Sequence, residues 1–350
     1  MAHSIGLNGD TGVTLGCGLS VVVPCYNEAE GLIELHRRVT GACRATSGED
    51  YEIVLVNDDS QDNTFSVMAI LVETDPHVSA INLTRNFGHQ IALSAGLKNC
   101  RGERILIMDA DLQDPPELLT QMMSLMDEGA DVVYGQRRSR KDEPWLRSIA
   151  IRCYYRILRR LVDIDIPLDT GDFRLISRRV LDVLNAMPEH HRFLRGMIGW
   201  IGFKQVPLAY DRDARFAGKS GYPFRKLLGL AFDGITGFSV VPLRLASYFG
   251  IATGAVGLLM LAYSIGGWLF TNAPVGWASQ ITIMLILGGA QLIVLGISGE
   301  YLGRLYIESK HRPIFLTESI IRHDQGKTRG KRSDSMSTTS RDQQSDECVD

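Results

Sequence analysis

The chain has almost no net charge and none of the usual phosphate-loop signatures. Its 37 Lys and Arg nearly balance 40 Asp and Glu, for a formal charge of −3. A nucleic-acid-binding domain normally shows a basic surplus, so no nucleic-acid partner is expected. No G-x-G-x-x-G and no G-x-x-x-x-G-K-[ST] occurs, which removes a dinucleotide fingerprint and a P-loop as sources of a phosphate site. The six cysteines, Cys17, Cys25, Cys43, Cys100, Cys153 and Cys348, form no C-x-x-C pair and no Cys/His cluster. They read as reduced thiols facing a cytoplasm, not as a disulfide framework or a zinc site. Residues 1–18 lack the basic start and apolar core of a signal peptide and are expected to be a flexible leader. Residues 323–350 carry almost nothing apolar, cannot bury enough surface to order themselves, and are expected to be a disordered tail.

What is present is distributed unevenly. A chain of 350 residues, 45% hydrophobic, has room for one large α/β domain and something smaller. Stretches 245–270 and 277–299 contain no Asp, Glu, Lys or Arg. Each exceeds the ~20 residues that cross a bilayer, and one charge at mid-bilayer would cost at least ~2.5 kcal/mol. Two transmembrane helices are therefore expected, at 245–270 and 277–306, joined by a short turn containing Pro274. The alternative is a pair of buried helices in a soluble core. Arg225, Lys226, Arg244, Arg304, Lys310 and Arg312 flank the hairpin. The positive-inside rule then puts both of its ends and the large domain in the cytoplasm, giving a multi-pass protein of the inner (cytoplasmic) membrane. Trp268 and Trp277 stand where an aromatic belt would be. Segment 222–244 mixes apolar and charged residues; it suits either a helix in the headgroup plane or an ordinary helix packed on the domain.

The part before it, 19–221, reads as one α/β domain. β-rich runs at 19–23, 51–56, 78–83, 104–108 and 131–134 alternate with helical patterns at 28–45, 63–73, 90–100 and 116–127. That rhythm predicts a mostly parallel sheet with helices on both faces, whose ligands bind outside the carboxyl ends of the strands. The polar clusters fall there: Pro24-Cys25-Tyr26-Asn27-Glu28 after the first strand, Asn57-Asp58-Asp59-Ser60 after the second, Asp109-Ala110-Asp111 after the fourth. Acidic groups gathered at one rim repel one another unless a cation joins them. Asp109 and Asp111 can both reach a hard, oxygen-seeking ion such as Mg²⁺ or Mn²⁺ bridging a diphosphate. The competing reading makes Tyr26, Asn27 and Glu28 caps of the following helix.

These motifs resemble the inverting family-two glycosyltransferases with a Rossmann-like (GT-A) nucleotide-sugar domain. Within that family the chain is similar to the polyprenyl-phosphate branch of dolichol-phosphate mannose synthases and bactoprenol glucosyltransferases. The resemblance rests also on Thr84-Arg85-Asn86-Phe87-Gly88, Asp109-Ala110-Asp111-Leu112-Gln113-Asp114-Pro115-Pro116-Glu117, Gly171-Asp172-Phe173-Arg174-Leu175-Ile176-Ser177-Arg178 and the ending Gly299-Glu300-Tyr301-Leu302-Gly303-Arg304. It implies that Pro24, Tyr26, Glu28, Asp58 and Ala110 bind the nucleotide-sugar, that Asp109 meets sugar or metal, that Asp111 and Gln113 ligate the metal, and that Arg137 meets phosphate. Two positions depart from the family. Asp59 stands where relatives have Gly, and the Lys of the stretch Gly218-Lys219-Ser220-Gly221-Tyr222 is displaced by two places.

The implied reaction transfers a sugar, with glucose from UDP-glucose first and mannose, N-acetylglucosamine or modified arabinose as alternatives, onto undecaprenyl or dolichyl phosphate. The acceptor phosphate is already ionised, so a strong general base is less necessary than for a sugar hydroxyl. Asp172 is expected to orient the acceptor or Arg174, with an Asp172–Arg174 structural pair as the alternative. Arg192, Arg195, Arg212, Arg215 and Lys219 are candidate cations for the lipid phosphate, Arg215 foremost. Short membrane hairpins often assemble, so a homo-oligomer is compatible with the pattern. A processive polysaccharide synthase would carry Q-x-x-R-W and more spans. A nucleotidyltransferase would need a triphosphate grip, and a non-catalytic membrane scaffold would have lost Asp109, Asp111 and Gln113, which are all present.

Overall fold

The computed structural model describes residues 17–137, 170–190, 192–211, 241–270 and 277–323. Eight strands form one sheet: β1 Leu19–Cys25, β2 Tyr51–Asn57, β3 Val78–Leu83, β4 Arg104–Ile107, β5 Val132–Arg137, β6 Thr170–Ser177, β7 Gln205–Tyr210 and β8 Thr317–Arg322, in the order β7-β5-β6-β4-β1-β2-β3-β8. The helices described are α1 Leu32–Ser47, α2 Thr64–Thr74, α3 His89–Asn99, α4 Leu119–Asp127, α5 Arg178–Ala186, α6 Leu194–Ile201, α7 Val241–Phe270 and α8 Trp277–Ser309. β4, β1, β2 and β3 run parallel, as do β5 and β7. β6 is inserted antiparallel between β4 and β5, and β8 lies antiparallel on β3. The mostly parallel α/β sheet expected from the alternation is the one observed.

β1 and β2 are buried at every position, as strands covered on both faces must be. Their alternate side chains feed two cores. Val21, Val23, Ile53 and Leu55 pack with Leu35, Met68 and Leu119 on one face. Val22, Val54 and Val56 pack with Leu93, Leu97 and Leu181 on the other. α3 sits very close to the sheet: a Cβ on Gly96 would stand 2.3 Å from Val22 Cγ1 and 3.0 Å from Val56 Cγ2. The chain order reverses beside β1, with β2 on one side and β4 on the other, which opens a crevice at their carboxyl ends.

β6, β7 and β8 were not anticipated, and each hides its pattern for a physical reason. β6 carries Asp172 and Arg174 as buried residues, so charge interrupts its apolar run. β7 contains Pro207 and is an edge strand, the position where proline is tolerated. β8 is a half-exposed edge strand that follows the long helices, so the sheet draws on chain beyond the 19–221 expected. Val241–Tyr263 in α7 and Ile286–Ser309 in α8 are long and apolar enough to cross a membrane, and only 6% of the most apolar window of each is buried. A pair of soluble-core helices would be covered. The leader up to 16, segment 222–240, turn 271–276 and the tail from 324 lie outside the described residues, as do Arg212, Arg215 and Lys219.

Candidate active site

Three strand ends build the rim, and each turn holds a non-glycine residue in the left-handed region: Asn27, Asp59 and Leu112, all at φ 57°. Such residues are uncommon, and strained backbone of this kind gathers at functional sites. The first two turns are hydrogen-bonded together. Asn27 N donates to Ser60 Oγ at 3.0 Å, Gln61 N to Asn27 Oδ1 at 2.8 Å, and Glu28 N to Thr64 Oγ1 at 2.9 Å. Asn27 is thus spent on the facing turn. α1 begins only at Leu32, with Gly31 as its N-cap and no side-chain cap, so the helix-capping reading of Tyr26, Asn27 and Glu28 does not hold. Pro24 is buried and Tyr26 is exposed.

Asp58 is 2% exposed. Its Oδ1 accepts from Phe87 N at 2.7 Å and its Oδ2 from Gly88 N at 2.9 Å. It therefore fastens the end of β2 to the turn that starts α3. Burial raises its carboxyl above the ordinary value, and these two backbone donors hold it back.

The third turn brings acid to the centre. Asp109 Oδ1 is buried without a hydrogen bond. Burial pushes its carboxyl up to about 6, opposed by His89 and reinforced by the like charges of Asp172, Asp114 and Asp111. His89 Nε2 lies 3.4 Å from Asp109 Oδ1 and 3.3 Å from Asp172 Oδ2, between the two carboxylates. Burial works against charge on this imidazole, but the hydrogen bond to Asp172 and the fields of both acids raise its pKa. His89, Asp109 and Asp172 offer ligand atoms within 4.8 Å of one another. Ala110 is buried beside them, Asp111 Oδ1 accepts from Gln113 N at 3.2 Å, and the Tyr210 hydroxyl donates to the buried Asp114, tying this loop to β7.

Asp172 is 5% exposed. Arg195 Nε donates to its Oδ1 at 2.7 Å, and Gln90 Nε2 to its Oδ2 at 3.0 Å. Burial alone would raise its pKa; Arg195 and His89 outweigh it and hold the carboxyl well below the ordinary range. Toward Arg174, the expected partner, Asp172 contributes its charge, which favours the guanidinium. Arg174 is buried, donates to Gly171 O at 3.1 Å, and is pushed down to about 10 by that burial. Arg192 and Arg195, expected as cations for a lipid phosphate, are both engaged inside the protein: Arg192 Nη2 donates to Leu184 O and Met187 O. Arg137 ends β5, level in register with Tyr210.

His89 and Gln90 are the site's unforeseen members, and Arg195, expected only as a cation for the lipid phosphate, stands instead on Asp172. His89 and Gln90 follow directly on the Thr84-Arg85-Asn86-Phe87-Gly88 motif, so the available signal was proximity to a motif that continues past its last quoted residue. Nothing local marks Arg195 as a partner of Asp172.

The sequence matches Glycosyl transferase family 2 over residues 20–184. It is 44% identical over 300 residues to the Bacillus subtilis (strain 168) protein named uncharacterized glycosyltransferase YkcC, covering 85% of this chain and 93% of that one. It is 37% identical to the bactoprenol glucosyl transferase of Shigella phage SfV, covering 86% of this chain and 98% of that one. Against the prophage bactoprenol glucosyl transferase homolog of Escherichia coli (strain K12) it is 37% identical, over 86% and 99% of the two chains.

Proposed function

The chain belongs to glycosyl transferase family 2, and from that premise we propose that it moves a sugar from a nucleotide-sugar onto polyprenyl phosphate at the cytoplasmic face of a membrane. The acceptor reading is supported by the names of the phage and prophage relatives and by the two exposed apolar helices. The same names favour glucose as the sugar, and UDP-glucose is the donor proposed. Arg244 and Arg304 near the helix ends favour a cytoplasmic catalytic domain.

One observation carries the reading: the buried Asp109 oxygen, which has no hydrogen bond and only the His89 ring 3.4 Å away, at a rim shared with Asp111 and Asp172. A carboxylate oxygen taken out of water with no hydrogen bond is costly, and an all-oxygen donor set of Asp109, Asp111 and Gln113 fits Mg²⁺ or Mn²⁺. Such an ion, when bound, neutralises charge on the departing diphosphate. Pro24, Tyr26, Glu28, Asp58 and Ala110 hold the nucleotide-sugar, and Arg137, Arg215 and Lys219 receive phosphates. An oxygen of the acceptor phosphate attacks the anomeric carbon from the face opposite the nucleotide. The new C–O bond forms as the bond to the diphosphate breaks, with inversion. No proton need be removed from the acceptor, and Asp172 is suited to that: held ionised by Arg195 and His89, it is a weak base and an effective orienting charge.

The test is to supply membranes containing the protein with polyprenyl phosphate and a panel of labelled nucleotide-sugars. Label from UDP-glucose should enter the lipid phase, and Asp111→Ala should reduce it at least ~100-fold. Transfer from another nucleotide-sugar alone would replace the donor. Undiminished transfer by Asp111→Ala would remove the metal reading, and no lipid-phase label from any donor would remove the acceptor.

A further inference from the structure

The site is tied to the far end of α8 through a short connection between α5 and α6. His190 lies in that connection. Its backbone N donates to Glu308 Oε1 at 2.9 Å, its Nδ1 lies 2.9 Å from Glu308 Oε2, and its Nε2 lies 2.7 Å from Arg312 O. Glu308 is in the last turn of α8, and Arg312 follows it. Two residues after His190, Arg192 is buried and caps the carboxyl end of α5 through Leu184 O and Met187 O. The next residues open α6. Leu194 N donates to Gln90 Oε1 at 3.1 Å, and Arg195 Nε reaches Asp172 Oδ1. Gln90 in turn donates to Asp172 Oδ2. Both clasps on Asp172 thus depend on where the first turn of α6 sits.

We propose that His190 and Glu308 form a positioning contact through which the long apolar helix α8 sets Arg195 and Gln90 on Asp172. The catalytic geometry then includes the end of the membrane-anchoring hairpin, and turnover depends on chain that follows the sheet's other seven strands. This rests on the role proposed above for Asp172. The donor side of the site is held by other elements, namely the turns after β1, β2 and β4. A fault at His190 should therefore touch the acceptor step and spare nucleotide binding.

The experiment uses the full chain in detergent or proteoliposomes, with polyprenyl phosphate and UDP-glucose, the donor proposed above. His190→Ala should lower kcat about tenfold, the scale expected for a small misplacement of reacting groups, while KM for the donor and metal-dependent UDP affinity stay within about twofold. In an Arg195→Ala background the same substitution should cost less than about twofold, because residues acting in series are not additive. His190→Asn, whose amide can donate to Glu308 in place of Nδ1–H, should recover kcat to within about threefold of the parent, as fits a role confined to orientation. Unchanged kcat in His190→Ala overturns the proposal. So does a loss that multiplies in full with that of Arg195→Ala, and so does a parallel loss of UDP binding, which would mark general destabilisation. Asp172→Asn separates the two readings: full turnover in that variant removes the premise, whereas an inactive Asp172→Asn beside a normal His190→Ala removes only the positioning contact.

Discussion

Asp59 shows how a single position carries both a family departure and a structural demand. The turn after β2 holds it at φ 57°, a region that glycine enters freely and that Asp enters at modest cost. That angle suits the glycine that the family resemblance led one to expect here, and the chain keeps the turn with Asp because its short polar side chain tolerates it. Asp59→Gly should leave the fold intact and raise the unfolding free energy by no more than about 1 kcal/mol, read by denaturation of the full chain in detergent. A loss of stability would mean that the Asp59 side chain itself holds the turn. Asp58, its neighbour, was legible as a site residue from its place after an apolar strand. Its bonds to Phe87 N and Gly88 N were not, because they join positions about thirty residues apart.

At the scale of elements, α3 delivers His89 and Gln90, and its seat on β1 and β2 fixes where they stand. Gly96 is the contact: any Cβ there meets Val22 and Val56. Alanine would favour the helix by about 1 kcal/mol if space allowed. Space is absent, so Gly96→Ala should destabilise by about 1–3 kcal/mol, the cost of overpacking, with lower turnover as the amino end of α3 shifts. Thermal unfolding together with transfer assays checks both; an Ala variant more stable than the parent would contradict the tight seat. The first five strands and first four helices were readable because each carries its own apolar run or periodicity over its own length. β6 and β8 were not, since a strand with inward charge or at a half-exposed edge lacks that signal, and only pairing with a neighbour defines it.

For the whole molecule, the chain leaves the sheet after β7, forms two long apolar helices, and returns to add β8 at the opposite edge. His190 helps close that circuit. Its hydrogen bond to Glu308, with the Arg312 carbonyl, raises its pKa above 6.5 against a small opposing effect of burial. A group raised on folding contributes stability that is complete below its unfolded value and lost as pH rises through its folded value. The apparent unfolding midpoint should therefore fall as pH is raised from 6.5 upward, and His190→Ala should flatten that slope over the same window. A slope unchanged in the variant would place the dependence elsewhere.

The sequence by itself determined the α/β alternation, the apolar hairpin and the gathering of Asp58, Asp109 and Asp111 at one rim. Run length, periodicity and the end of a strand are properties a segment owns before it folds. Tertiary structure alone decided that Asp172 takes hydrogen bonds from Arg195 and Gln90, that His89 stands between two acids, and that the end of α8 reaches back to His190. Those choices join residues from 23 to 118 positions apart where hydrogen bonds make them, and partners at such distance are selected by packing geometry, on which no local pattern bears.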